Sequence, residues 1–371
     1  MPAKENLPFV SIIILNFNGK RWLKECFGSL EALDYPRDKF EVIMGDNASI
    51  DGSVQWVEQT YAWVKIVRFT KNYGFCKANN LCAEHAIGKY LIFLNNDTFV
   101  DKYWLANMVD AVTSDRDVIS STGKIFATIG EGNILNAAGG VIFPAGCGLY
   151  EGWLEPDSDK YNLKKYTAFG CGAGVLIDKE FFRTTGGFDE YYFYSGEEMD
   201  LGYRVWLFGY KVVYNPSAVM HHHIGKTGSR QRSRSPSTEF LITRNKIYFT
   251  LKNFELINVW KGICCVLVES LYKITYCLSK RNFAVIAAII KAYITIIMDL
   301  NKIIKSRDFI QKRRKISDAK LRRKGILVKI NTWLYYAKRA VKNMEKYFTN
   351  IYDTKDVMKI TKDFDGIYVF R

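Results

Sequence analysis

The sequence predicts an α/β protein, a mostly parallel central sheet followed by a basic helical region. Three observations carry this reading. Short apolar runs alternate with helix-spaced segments over about the first hundred residues. Several of those runs stop at Asn and Asp, and an open α/β sheet binds ligands just beyond the carboxyl ends of its strands. Charge is also split: residues 1–239 carry 25 Lys/Arg against 28 Asp/Glu, while residues 240–371 carry 28 against 10. A near-neutral front and a strongly basic back imply units with different partners.

With 371 residues and 48% hydrophobic content, the chain can bury a sizeable core and is not a disordered protein. The eight cysteines lack metal-type or disulfide spacing, and Cys264 and Cys265 are adjacent, which predicts reduced thiols in a cytosolic compartment. No signal peptide is expected, because the apolar run 9–15 is short and has no cleavage-type flank. The apolar stretch 283–300 is interrupted by Lys291 and Asp299 and falls short of a membrane span.

Taken in order, residues 10–15 form a buried-type strand ending at Asn16, Asn18 and Gly19, and helical spacing follows over 21–33 until Pro36. Residues 40–45 are a second strand, ending at Asp46, Asn47, Ser49, Asp51 and Ser53; such residues also cap a following helix. Residues 64–69 make a third, leading through Asn72 and Gly74 into a helix toward Gly88. Residues 90–94 make a fourth, stopping at Asn95, Asn96, Asp97 and Thr98. A lone carboxylate flanked by neutral amides suits a divalent cation that keeps most of its shell for water and phosphate. A plain Asn/Asp turn is the alternative at this position.

The pattern loosens over 118–166, which is rich in Gly and aromatics including Tyr150 and Trp153; such stretches often wall a second substrate. A strand at 175–177, a short helix from Lys179, and a turn at Gly186 to Glu190 follow. Glu197, Glu198 and Asp200 enter a helix closed by Gly209, and a last strand runs from Lys211 through Pro216 to His221, His222 and His223. No G-x-G-x-x-G or Walker A motif is present, so neither a dinucleotide fingerprint nor a P-loop is indicated.

Five motifs in this order resemble family 2 glycosyltransferases, the inverting group with the GT-A (nucleotide-diphospho-sugar transferase) fold, and most of all its rhamnosyltransferase-like branch. They are Asn16 to Gly19; Asp46 to Ser49 with Asp51 to Ser53; Asn72, Gly74 and Phe75; Asn95 to Thr98; and Gly187 to Glu190 running into Glu197, Glu198, Asp200 and Leu201, then Pro216 and the histidines. They cover about residues 8–245, including Thr243, Arg244 and Asn245.

The resemblance implies roles for matching residues. Asp46 accepts a hydrogen bond from a pyrimidine base, whose ring offers one N–H donor. Asn18 lines the same pocket, Asn72 holds the nucleoside, and Asn96 belongs to the nucleotide-sugar contacts. Asp97 is the metal carboxylate of an Asp-x-Asp motif whose first Asp is here Asn95, placed against the ribose. Mn2+ or Mg2+ at Asp97 would offset charge on the leaving diphosphate. His222 matches a second metal or phosphate contact, with His221 and His223 as neighbouring alternatives. A zinc site of all three is disfavoured, since adjacent strand residues face opposite ways. The family usually has Glu-Asp as its base pair; here it is Glu197-Glu198, with Glu198 in the base position and Glu197 beside it. The same carboxylates also complement a helix dipole. Asp189 orients acceptor or sugar, or is a turn carboxylate, and Gly172 and Gly174 admit a sugar to the backbone or serve packing.

The basic third predicts helices. Residues 329–350 place Ile330, Trp333, Leu334, Ala337, Val341, Met344 and Phe348 on one stripe, and 302–324 is dense in Lys and Arg. Basic amphipathic helices beside apolar sequence indicate an anionic membrane surface, with an ordinary solvated face as the alternative. No nucleic-acid motif is visible.

The expected organisation is a GT-A domain over 1–239, a basic membrane-associated region over 240–325, and an amphipathic helix and tail over 326–371. The expected activity is inverting, metal-dependent transfer from a nucleoside-diphosphate sugar, dTDP-rhamnose or a UDP-sugar, to a hydroxyl of a lipid-linked or cell-surface glycan. The expected location is the cytoplasmic face of the cell membrane, bound peripherally. A non-catalytic glycan- or lipid-binding scaffold on the same fold is the alternative.

Overall fold

A computed structural model describes residues 7–129, 132–224, 235–329 and 332. The described residues fall into two units, one within 1–140, 150–205 and 210–227, the other within 141–149, 206–209 and 228–371.

The first unit is built on a curled, mostly parallel sheet. Its strands are β1 (Val10–Asn16), β2 (Phe40–Asp46), β3 (Val64–Arg68), β4 (Tyr90–Asn95), β5 (Thr98–Val100), β6 (Val118–Ala127), β7 (Ile134–Ala137), β10 (Lys165–Tyr166), β11 (Gly174–Asp178) and β12 (Lys211–His222). Its helices are α1 (Lys20–Glu31), α2 (Ser53–Thr60), α3 (Gly74–Glu84), α4 (Trp104–Thr113), α5 (Lys179–Thr184) and α6 (Glu197–Leu207). The strand order is β10-β12-β6-β11-β4-β1-β2-β3, with β5 on β12 and β7 on β6. β1 pairs in parallel with both β2 and β4, so Asn16 lies beside Asp46 on one side and Leu15 beside Asn95 on the other. The predicted strand ends therefore meet along one edge. Val10, Ile12, Ile14, Val42, Met44, Ile92 and Leu94 are buried in one core with Leu23, Phe27 and Leu30 of α1.

The stretch over 118–166 departs from its loop-rich reading. β6 is a ten-residue central strand, parallel to β12 and antiparallel to β11. Its Ser120, Ser121, Thr122 and Lys124 are buried, and alternation of apolar and polar residues does not reveal such a strand. Each polar group is answered: Ser120 Oγ donates to Leu176 O at 2.7 Å, Ser121 Oγ to Met108 O at 2.8 Å, and Lys124 Nζ pairs with Asp157 at 2.8 Å. Pro216 sits where the β6–β12 ladder shifts register between Asn215 and Val219, a place that tolerates proline inside a sheet.

The two-stranded sheet of β8 (Gly140–Phe143) and β9 (Cys147–Tyr150) belongs to the second unit except for Gly140 and Tyr150, which belong to the first, and the described residues of the second unit also form five helices: α7 (Pro236–Asn253), α8 (Leu256–Ser279), α9 (Phe283–Met298), α10 (Leu300–Arg313) and α11 (Asp318–Arg323). The Ser235 side chain caps α7, with Pro236 beginning the helix. Between α7 and α8 lies a buried ion cluster in which Glu269 meets Lys246 at 2.6 Å and Lys273 at 3.1 Å, and Lys273 meets Glu239 at 2.6 Å. Burial would raise the Glu269 carboxyl, but Lys246 and Lys273 outweigh it and hold it at about 2. By length and composition α8 alone among the described helices is apolar enough to cross a membrane, α9 and α10 being separated by a 67° bend. The amphipathic helix expected over 329–350 lies outside the described residues, except for Lys329 and Thr332.

Candidate active site

The site grows from the ends of β1, β2 and β4, and Asn16 ties them together. Its Nδ2 donates to Ser53 Oγ at 2.9 Å and Ser49 Oγ at 3.1 Å, and its Oδ1 accepts from Asn96 Nδ2 at 2.8 Å. Gly19 permits this: a Cβ there would lie 2.1 Å from Asn96 Nδ2 and 2.6 Å from Asn16 Oδ1. The Asn96 amide is thus engaged in holding strand ends. Asp46 is buried, accepts from Ser49 N at 3.0 Å, and approaches Asn16 Nδ2 at 3.4 Å. Asn18 is exposed with φ 53°, and its Oδ1 accepts from Ile50 N at 2.8 Å, which fixes it against the turn after β2. Asn72 Oδ1 accepts from Asn47 Nδ2 at 2.9 Å and Gly74 N at 2.8 Å. Asn18, Asp46 and Asn72 therefore all converge on the segment after β2. Asn95 is half-buried at the end of β4, and its backbone carbonyl accepts from Thr98 Oγ1 at 2.6 Å.

Asp97 and His222 meet. β12 pairs with β5, placing His222 opposite Thr98, and His222 Nε2 lies 3.2 Å from Asp97 Oδ1. His222 Nδ1 lies 2.7 Å from Asn136 Oδ1, an oxygen that only accepts, so Nδ1 carries a proton there. That tautomer leaves the Nε2 lone pair beside the Asp97 carboxylate, 3.2 Å from Oδ1. Two neighbouring ligands of an octahedral ion with bonds of 2.0–2.1 Å stand about 3 Å apart, so the pair fits a divalent cation that takes its remaining ligands from water and phosphate. Among the described residues no group of three His, Cys, Asp or Glu could hold a metal. His222 faces away from its two neighbours, as strand alternation predicts. His221 and His223 both lie against Phe99, at 4.5 and 5.7 Å; His221 also faces Asp101 at 3.4 Å, and His223 bonds Glu25 at 2.7 Å and stacks on Trp22 at 4.7 Å.

Glu197 and Glu198 open α6. Tyr150 donates its hydroxyl to Glu198 Oε1 at 2.7 Å, and the remaining oxygens, Glu198 Oε2 and Glu197 Oε2, are buried without hydrogen-bond partners. Burial raises both carboxyls. Glu197 is pushed well above the usual carboxylate range, with the Glu198 charge adding to burial, while the Tyr150 hydrogen bond holds the rise of Glu198 back.

The turn at residues 185–188, before α6, is tied down by hydrogen bonds. Arg204 reaches from α6 to Asp200 at 2.9 Å, Thr185 O at 3.0 Å and Gly187 O at 2.6 Å, and Asn80 Nδ2 donates to Phe188 O at 2.8 Å. Asp189 Oδ1 accepts from Tyr191 N at 3.0 Å, so this carboxylate has a turn role in the fold. The two glycines separate: a Cβ on Gly174 would strike Met220 Sδ at 2.4 Å, which is a packing constraint, whereas one on Gly172 would reach Glu198 only at 3.7 Å, an ordinary contact. Gly172 therefore borders Glu198 with room beside it.

Sequence reasoning gave no role to Asn16, Tyr150 or Arg204. Asn16 stood inside a recognised motif, and Tyr150 in the aromatic stretch, but no spacing rule links Tyr150 to a carboxylate 48 positions later.

The chain is similar to known proteins. The model of the family described as "Glycosyl transferase family 2" matches residues 11–185. The chain is 29% identical over 252 residues to O-antigen biosynthesis protein RfbC of Myxococcus xanthus, covering 64% of this chain and 19% of that protein. It is 24% identical over 241 residues to N-acetylglucosaminyl-diphospho-decaprenol L-rhamnosyltransferase of Mycobacterium tuberculosis, covering 57% of this chain and 74% of that one. The chain spans less than half the length of most curated relatives it matches. Among solved structures, GalNAc-T7 with UDP, GalNAc and Mn2+ superposes with a TM-score of 0.55 at 20% identity, over 66% of this chain and 48% of that one. Residues 11–185 thus match glycosyl transferase family 2, and the sheet that holds them has the GT-A fold.

Proposed function

We propose that the protein is an inverting glycosyltransferase. It would move a sugar from a nucleoside-diphosphate donor, dTDP-rhamnose or a UDP-sugar, to a hydroxyl of a lipid-linked or cell-surface glycan. The observation that carries this reading is the Glu198 carboxylate, with one oxygen held by Tyr150 at 2.7 Å and the other buried and unpartnered. Inversion in one displacement needs a single base on the face opposite the leaving group, and an oxygen with no other bond is available to take the acceptor proton. Glu197, its carboxyl raised by burial and by the neighbouring Glu198 charge, supplies local field and packing.

On the donor side, Asp46 would accept from the base N–H, with Asn18 and Asn72 on the same segment, and Asn95 would face the ribose. Asp97 and His222 would hold Mn2+ or Mg2+, whose charge when bound offsets that of the departing diphosphate. Asp189, beyond its turn role, and the open side of Gly172 would meet sugar or acceptor. Support for the substrate class comes from the relatives: one is named for O-antigen biosynthesis, another is a rhamnosyltransferase acting on a diphospho-decaprenol, and the superposed structure contains UDP and Mn2+.

The test is a thermal-shift screen of nucleotide sugars with and without Mn2+, followed by transfer assays and NMR of the product's anomeric centre. A donor that stabilises the protein in a Mn2+-dependent way, and a product of inverted configuration, are expected. A retained configuration would overturn the single-base reading, and no stabilisation by any nucleotide sugar would overturn the donor assignment.

A further inference from the structure

The apolar side of the second unit is turned outward. The exposed positions of α8 are Leu256, Ile257, Trp260, Lys261, Leu267, Val268, Leu271, Thr275, Leu278 and Ser279; one of them is charged, and it is a lysine. Those of α9 are Phe283, Ala284, Ala287, Ile290, Lys291, Ile294, Ile297 and Met298, again with one charge, a lysine. The large apolar members are 43–79% exposed, from Leu267 to Met298. They recur at three- and four-residue steps, so each helix presents a continuous stripe to solvent. A helix of a soluble domain has the reverse pattern, and an apolar face of this extent marks an interaction surface.

The opposite faces are committed to packing. α8 turns Asn258, Glu269 and Ser270 inward, where Glu269 bonds Lys246 and Asn258 donates to Asp318 Oδ2 at 2.8 Å. α9 buries Ala288, Ile289, Ala292 and Ile296. A helix with ion-paired residues on one face and apolar residues on the other lies along an interface instead of crossing a bilayer. α9, at 16 residues and about 24 Å long, is also too short for a hydrocarbon core of about 30 Å.

The charges at the rim identify the partner. The α8–α9 connection exposes Lys280 and Arg281, and α10 exposes Lys302 and Lys305 next to Leu300 and Ile304. Residues 240–329 carry 20 Lys/Arg against 5 Asp/Glu. An apolar face with a cationic rim complements acyl chains beneath anionic headgroups.

We propose that α8 and α9 lie in the plane of an anionic membrane, with Trp260, Leu271, Ile294 and Ile297 inserted at the headgroup–acyl boundary and Lys280 and Arg281 at the phosphates. This surface lies inside the region 240–325 that the sequence reading expected to be membrane-associated, and is separate from the stripe over 329–350. It does not depend on the catalytic reading, because the test involves no sugar transfer.

The test is flotation of the full chain with vesicles of phosphatidylcholine alone or with phosphatidylglycerol, compared for wild type, Leu271→Glu/Ile294→Glu and Lys280→Glu/Arg281→Glu. Both pairs are exposed, so folding should survive, and circular dichroism with melting checks this. Wild type should float with the mixed vesicles. Each pair of substitutions should reduce partitioning roughly tenfold or more. Quenching of tryptophan fluorescence by brominated lipid should fall with the Leu271→Glu/Ile294→Glu pair. Wild type that ignores anionic vesicles, or variants that float as well as wild type, would overturn the proposal. So would a wild-type dimer that does not float and that the Leu271→Glu/Ile294→Glu pair makes monomeric, since the face would then be occupied by a second copy.

Discussion

Replacing Glu198 by Gln isolates the step on which the functional reading rests. The substitution keeps the side chain's length and leaves Oε1 able to accept from Tyr150, so the 2.7 Å hydrogen bond can persist. It exchanges the unpartnered Oε2 for an amide that cannot take a proton. Fold and donor site should therefore be nearly undisturbed, with donor affinity within about twofold and turnover lower by ~10²–10⁴-fold, the usual worth of a positioned base. In barrier terms this is roughly 3–5 kcal/mol at 1.36 kcal/mol per decade. Glu198→Asp withdraws the carboxylate by about 1.5 Å, one carbon–carbon bond, from Tyr150 and from the acceptor, and should keep partial activity. Glu197→Gln should cost less than Glu198→Gln. The assay is turnover at saturating donor for the three variants, with donor affinity measured separately. A dead Glu197→Gln enzyme beside a near-normal Glu198→Gln enzyme would reverse the two roles, and near-normal turnover in both would remove the base from this pair.

Asp97→Ala should abolish transfer and the Mn2+-dependent part of donor stabilisation, read as a thermal shift, because no carboxylate stands at position 95 to replace it. Gly172→Ala should melt close to wild type, its Cβ meeting Glu198 at an ordinary 3.7 Å, and raise KM if substrate uses that space; Gly174→Ala, with Met220 Sδ at 2.4 Å, should destabilise the fold by about 1–3 kcal/mol, seen by chemical denaturation. The Glu197 carboxyl is raised by burial and the neighbouring Glu198 charge, so the folded state holds this proton more tightly than the unfolded chain; its stabilising contribution is full below about pH 4.3 and is lost as pH climbs through the raised value. Glu197→Gln should therefore flatten the fall of Tm with rising pH, while wild-type turnover rises with pH as Glu198 ionises.

Sequence by itself determined the strand ends and their order along the chain. A run of buried residues such as Ile12, Ile13 and Ile14 has one favourable environment, and the Asn or Asp that ends it must lie where the sheet stops. The alternation of strands and helices dictated a parallel sheet, and strand pleating dictated that His222 faces away from His221 and His223.

Tertiary structure decided whatever depends on residues far apart in the chain. β6 reads as a polar segment because its buried Ser120, Ser121 and Lys124 find their partners far off in the chain, at Leu176, at Met108, and at Asp157 and Asn162. Asn16 acquires its role because Ser49, Ser53 and Asn96 arrive around it from two other strand ends. Glu198 is distinguished from Glu197 by Tyr150, which local sequence cannot place beside it. The apolar residues of α8 and α9 could equally have faced a core. Their outward orientation follows from the ion pairs and small residues that hold the opposite faces, a choice made by packing and invisible to periodicity.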